Sequence, residues 1–132
     1  MMTGCRILLA GILFFFTIPA VSFADSQKDT LDREITHLLD FINHSECEFV
    51  RNGESHTGPK AREHIEKKYN YVKKRVDSTE NFIKYAASRS SLSRKPYTIQ
   101  CGEEIITSRV WLTEELERYR QTVSSLLVPV AD

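Results

Sequence analysis

What this chain has little of limits it first. Of its 132 residues only five are glycine, four are proline, three are cysteine and one is tryptophan. The glycines are scattered, so no Gly-rich loop is available to cradle a phosphate. Net charge is missing too: 18 Lys and Arg face 18 Asp and Glu. A chain this balanced exerts no global pull on nucleic acid or on an anionic membrane, so any anion site must be local. The cysteines include no Cys-x-x-Cys, which sets aside the usual redox pair. His37, His44, His56 and His64 include no His-Glu-x-x-His, which sets aside the common zinc motif. No metal and no cofactor is expected. Neither Gly-x-Ser-x-Gly nor Ser-x-x-Lys occurs. A serine using His64 as its base would find few acidic residues in these motifs to orient the imidazole. No catalytic residue is assigned, and an enzyme is not expected.

One uninterrupted apolar run exists, Ile7 to Ile18. It is too short to span a bilayer comfortably. Arg6 precedes it, Pro19 breaks it, and Ser22-Phe23-Ala24 places small residues at the positions a signal peptidase reads. Residues 1–24 therefore read as a secretory signal peptide, cleaved after Ala24. An uncleaved N-terminal anchor is the competing reading. Cys5 lies before the apolar run, where a lipoprotein cysteine would not. Removing the leader takes away Arg6 alone among the charged residues, leaving 17 basic against 18 acidic. Residues 25–132 are then one domain with a modest core and no membrane span.

Export bears on the cysteines. The mature chain keeps Cys47 and Cys101, and an even pair in an oxidising compartment reads as a disulfide. Two buried thiols are the alternative. The loop such a bond closes is long, worth roughly 4 kcal/mol on the chain-entropy account.

Residues 25–30 are polar and expected to fray. Leu31, Ile35, Leu38, Leu39 and Ile42 then recur at helical spacing, which predicts a helix over about 30–44. Glu48–Arg51 is short and β-prone and ends at Asn52-Gly53, a strong turn signal. A polar loop, Glu54 to Gly58, follows. Pro59 suits the first turn of a helix. The phase of Ile65, Tyr69, Val72, Val76, Thr79, Ile83 and Ala86 is unbroken and predicts one long helix over about 59–88. Asp77-Ser78-Thr79-Glu80 has capping chemistry, so a break into two is the alternative. Lys95-Pro96 forces extended chain, and Tyr97–Gln100 reads as a second short strand. A disulfide would set it beside Glu48–Arg51. A last helix is expected over about 106–127, capped by Thr107 or Ser108. The fold class is mainly α: three to four helices and a small two-stranded ribbon clasped by the disulfide.

The residues Cys47-x-Phe49-Val50-Arg51-Asn52-Gly53, Ala61-x-x-His64-Ile65-x-x-Lys68 and Ser88-x-Ser90-Ser91-x-Ser93-x-x-Pro96-Tyr97-x-Ile99 together resemble the YfeK-like family. Its members are small exported bacterial proteins carrying a domain of unknown function. The resemblance covers residues 47–101 closely and the ends loosely. It implies a bacterial, periplasmic protein and implies no activity. Two positions depart from it. Arg94 stands where the family pattern often has glycine, and is strained if the turn needs a positive φ. The loop Glu54–Pro59 is individual to this chain.

Arg51, His64, Lys68, Ser91 and Tyr97 are the expected ligand-binding residues. His64 and Lys68 are helix neighbours, and Arg51 and Tyr97 lie on the two strands the disulfide would join. Such a set suits a carboxylate, phosphate or sulfate. The plainer reading is structural: Arg51 pairs with Glu63 or Glu80, and the serines cap a helix and fill a turn. The expected function is a non-catalytic binding or interaction module. The alternative is an inhibitor of an envelope or cell-wall-degrading enzyme, acting through the Ser91–Tyr97 loop. The partner is accordingly a small anion or an envelope protein, and not nucleic acid.

Overall fold

The structure is a computed structural model that describes residues 23–128. The expected leader therefore lies outside the described residues, apart from Phe23 and Ala24. Leu38 and Ile42 are fully buried, with Ile35 and Leu39 beside them. These four make the inner face of helix α1, Phe23–His44. The helix begins earlier than expected, because residues 25–30 are helical and not frayed. Thr30 donates its hydroxyl to the Ser26 carbonyl at 3.0 Å and Asp29 lies 3.9 Å from Arg33, which helps that polar turn to wind.

Strands β1 (Glu48–Arg51) and β2 (Glu54–His56) form a hairpin. Asn52 and Gly53 both take left-handed φ, 52° and 80°, as a two-residue type I′ turn requires. The segment expected as a polar loop is thus half strand. Its side chains are too polar and too few to show it, and β1 supplies the pairing that makes it one.

Helix α2 (Gly58–Val72) opens at Gly58-Pro59. Gly58 is a close-approach position: a Cβ there would fall 2.4 Å from the Ile42 carbonyl oxygen and 2.9 Å from that of Ser45. This contact seats α2 against the end of α1.

The expected single helix over 59–88 is two. A tight turn at Lys73–Arg75 ends α2, Val76 is extended, and α3 starts at Thr79. The Ser78 hydroxyl caps α3 by accepting from the Asn81 N–H at 3.2 Å, so the capping chemistry prevails over the phase. Val76 and Thr79 are buried on both sides of the break, which is why the apolar rhythm runs through it. After Phe82 the helix widens into a π-turn over Ile83–Ala87, and Ser88 closes it by donating to the Ile83 carbonyl at 2.6 Å.

Strands β3 (Thr98–Cys101) and β4 (Glu104–Thr107) complete an antiparallel sheet in the order β2-β1-β3-β4. The anticipated two-stranded ribbon is its central pair. Thr107 caps α4 (Ser108–Leu127) by accepting from the Val110 N–H. Cys47 and Cys101 are joined, with their Cα atoms 4.7 Å apart.

Register decides which side chains share a face. Phe49 pairs with Ile99, and Ile99 with Ile106. Both Phe49 and Ile99 are buried against the helices. Counting by twos along the strands, Cys47 with Cys101 and Arg51 with Tyr97 fall on that same inner face. So does Ser108, whose N–H donates to the Tyr97 carbonyl at 2.9 Å. Arg51, Tyr97 and Ser108 therefore form one row across the sheet, beyond the core row.

Candidate functional site

A cleft of about 260 Å³ opens where that row meets α2. Its apolar wall is Phe49, Ala61 and Ile65, and its polar wall is Arg51, His64 and Tyr97. The sheet carries one half of it and the first turns of α2 the other. Ala61 is small enough to leave the space, and Ile65 roots the helix in the core.

The polar wall is a chain of contacts. Arg51 Nη1 lies 2.6 Å from His64 Nδ1, and His64 Nε2 lies 3.0 Å from the Tyr97 hydroxyl. A guanidinium only donates, so the nitrogen facing it must carry a lone pair. Arg51 Nη1 also lies 3.0 Å from His64 Nε2, so the guanidinium sits against the edge of the ring and disfavours a second positive charge there. Burial lowers the His64 pKa, and the nearby charges of Arg51 and Lys68 lower it further. Burial also raises the Tyr97 phenol, against the pull of Arg51. Both rings thus stay uncharged beside one permanent cation.

Two polar atoms of residues that line the cleft lack any protein partner. Ser108 is 1% exposed, and its Oγ makes no hydrogen bond. Buried His56 Nε2 makes none either; the Glu54 carboxylate, at 4.0 Å, is out of hydrogen-bonding range. Among the described residues these are the two buried side-chain atoms left unpaired, and both belong to the cleft lining. Neither was among the expected site residues. Ser108 has only the signature of a helix cap in the sequence, and its row becomes visible only once β4 is known.

Of the five expected residues, three converge. Arg51, His64 and Tyr97 line the cleft. Lys68 stands behind them, donating to the Arg89 carbonyl, with its ammonium 5.2 Å from the centre of the Tyr97 ring. Burial lowers its pKa, and Arg89 lowers it further. Ser91 joins none of them and is exposed on the loop between α3 and β3. The carboxylates suggested for Arg51 are engaged elsewhere. Glu63 takes Lys60 and Lys67, and Glu80 takes Arg120.

The family model described as a family of unknown function, DUF5329, matches residues 29–120. The chain belongs to this family. The uncharacterized protein YfeK of Salmonella typhimurium is 29% identical over 92 residues, covering 70% of this chain and 75% of that protein. No solved structure matches. The span shared with DUF5329 starts inside α1 and ends at Arg120, so it takes in every residue of the cleft.

The same DUF5329 span holds a second polar cluster, between α1 and α4. Glu34 is buried and accepts from Arg120 and from the Thr79 hydroxyl. His37 lies 2.7 Å from Glu115 and stacks on Tyr119, ring centres 4.1 Å apart. Both carboxylates are engaged by cations, Glu34 by Arg120 and Glu115 by Arg118. Among the described residues no three His, Cys, Asp or Glu side chains gather closely enough to hold a metal ion.

Proposed function

We propose that this protein is an exported, non-catalytic binding module that holds a small anion in the cleft between the sheet and α2. One observation carries the reading: the unpaired Ser108 hydroxyl and His56 Nε2 belong to residues that line the same cleft as Arg51. A buried polar group without a partner is costly, roughly 1–3 kcal/mol each. Two such atoms in a lining that also carries a guanidinium with no carboxylate partner are what a binding site uses and a packed core avoids. The apolar run before residue 25 and the cysteine pair support export to the periplasm.

Thermal denaturation of the oxidised protein against a panel of carboxylates, phosphate and sulfate tests it. An anion at a hundred times its dissociation constant adds about 2.7 kcal/mol. The shift should vanish in Arg51→Ala while the variant keeps its fold. Anions that stabilise wild type and Arg51→Ala equally would refute the cleft.

A second reading rests on the loop from Arg89 to Pro96. Leu92 at its tip is 96% exposed. The loop is held by the Ser90–Lys95 and Ser90–Arg94 backbone bonds and by Ser93 donating to the Asn52 side chain at 2.6 Å. A rigid prong with an apolar tip suits insertion into an enzyme, the inhibitor alternative. Tyr97 is turned inward on the cleft, so Leu92 would make the contact. Leu92→Asp should abolish inhibition of a target enzyme and leave anion binding unchanged.

A further inference from the structure

The cleft has a more specific chemistry than a general anion site. Lys60 and Lys67 both reach Glu63, at 3.3 and 3.0 Å, so this triad adds a carboxylate as well as two cations to the rim. Arg51 is the cation of the lining that has no acidic partner among the described residues. Its Nη1 is held on His64, and its Nε and Nη2 make no hydrogen bond to protein there. That free edge offers two parallel donors, the match for a planar carboxylate. A phosphate or sulfate would bring more oxygens than Arg51 and Tyr97 can meet, and its other side would lie on Phe49, Ala61 and Ile65. Two lysines on one glutamate leave the rim net positive, so oxygen count and shape, not charge, separate the anions.

Size and the unpaired atoms complete the specification. A volume of 260 Å³ holds about nine waters, or a ligand with a similar number of non-hydrogen atoms. Ser108 stands two strand spacings from Arg51 along their row, about 10 Å between backbones.

Building on the cleft as an anion site, we infer that its ligand is a monocarboxylate with a compact apolar body and a second polar group. The carboxylate binds the free edge of Arg51, the apolar body lies on Phe49, Ala61 and Ile65, and the polar group meets Ser108 Oγ or His56 Nε2.

The test is calorimetric titration and thermal shift of the full mature protein in a buffer free of phosphate and carboxylates. The probes are para-hydroxybenzoate, benzoate, hexanoate, para-hydroxybenzamide and inorganic phosphate. The carboxylates should bind saturably, and para-hydroxybenzoate should bind more tightly than benzoate. The amide and phosphate should not bind. Arg51→Lys, which keeps the charge and loses the fork, should weaken para-hydroxybenzoate roughly ten- to hundredfold. Ser108→Ala should bring para-hydroxybenzoate down to the affinity of benzoate, and should raise the melting temperature of the free protein. Binding of phosphate without the carboxylates would overturn the inference and leave the cleft an anion site. Equal binding of amide and carboxylate would overturn it as well. No response to any anion would sink both readings.

Discussion

Glu34 and Arg120, 86 residues apart, meet edge to edge: Arg120 Nε is 2.7 Å from Glu34 Oε1 and Nη2 is 2.9 Å from Oε2. The pair ties the first helix to the last. Arg120 also reaches Glu80 at 2.6 Å, so one guanidinium fastens α1, α3 and α4 together. Arg120→Ala would leave the Glu34 carboxylate buried with Thr79 alone. The expected loss is about 2 kcal/mol, less than for a fully enclosed pair because the guanidinium is partly open to water. Urea denaturation reads it. The double variant Glu34→Leu with Arg120→Met should recover much of the loss, since it strands no charge.

Acid should unfold the protein in two windows. Burial raises the Glu34 pKa, but the hydrogen bonds from Arg120 and Thr79 more than offset it and hold the group below the ordinary carboxylate range. Arg120 lowers Glu80 in the same way, against its own burial. When the folded pKa is depressed, the unfolded chain takes up protons first as pH falls. The stabilisation from Glu34 and Glu80 is thus whole above about pH 5, shrinks as pH falls past about 4.3, and is gone once the folded carboxylates protonate. His64 adds an earlier step of the same sign. The unfolded imidazole protonates near 6.5, while the folded ring stays neutral to lower pH, so stability begins to fall just below about pH 7. Urea midpoints across this range should lose the upper step in His64→Gln and the lower step in Glu34→Gln. An NMR titration of His64 above the ordinary imidazole value would contradict the account.

Reduction should destabilise the fold without abolishing the core. The cysteines are 54 residues apart, and releasing that loop frees the unfolded chain by about 4 kcal/mol. Denaturation with and without reductant measures it. The non-reduced protein should weigh less than its reduced form by a pair of hydrogens. Free thiols in protein produced under oxidising conditions would remove the staple from the fold.

Arg94 holds a φ of 63°, a left-handed conformation that favours glycine. Arg94→Gly should therefore raise stability by about 0.5 kcal/mol, relief of strain outweighing the added freedom of the unfolded chain. A melting curve decides it, and a lower melting point would mean the arginine side chain contributes more than its backbone costs.

Much of this was legible in the sequence. The apolar steps of Leu31, Ile35, Leu38 and Ile42 are a local signal, and so are Asn52-Gly53 and Lys95-Pro96. The family resemblance drawn from residues 47–101 holds, and the strand pairing follows from placing Cys47 opposite Cys101. The losses share one cause, which is that partners far along the chain decide them. Glu54-Ser55-His56 is a strand only because β1 lies beside it, and Glu104–Thr107 only because β3 does. The break at Ser78 hides behind Val76 and Thr79, which keep the rhythm of one helix. Glu34 and Arg120 carry no local mark of their meeting. Arg51, His64 and Tyr97 could be grouped because each sits at a known step from a cysteine or an apolar stripe. Ser108 could not, since being unpaired is a property of its surroundings.

From the disulfide to the cleft the two central strands count alike, Cys47 to Arg51 in one and Cys101 to Tyr97 in the other. Side chains alternate along a strand, so one residue added or removed between bond and cleft would turn Arg51 or Tyr97 to the outer face. The bond anchors the other end and leaves no room for the register to slip back. Segments 47–51 and 97–101 therefore accept changes of side chain but no change of length. The tip of the Ser91–Lys95 loop lies outside both, and there an insertion moves no residue of the cleft.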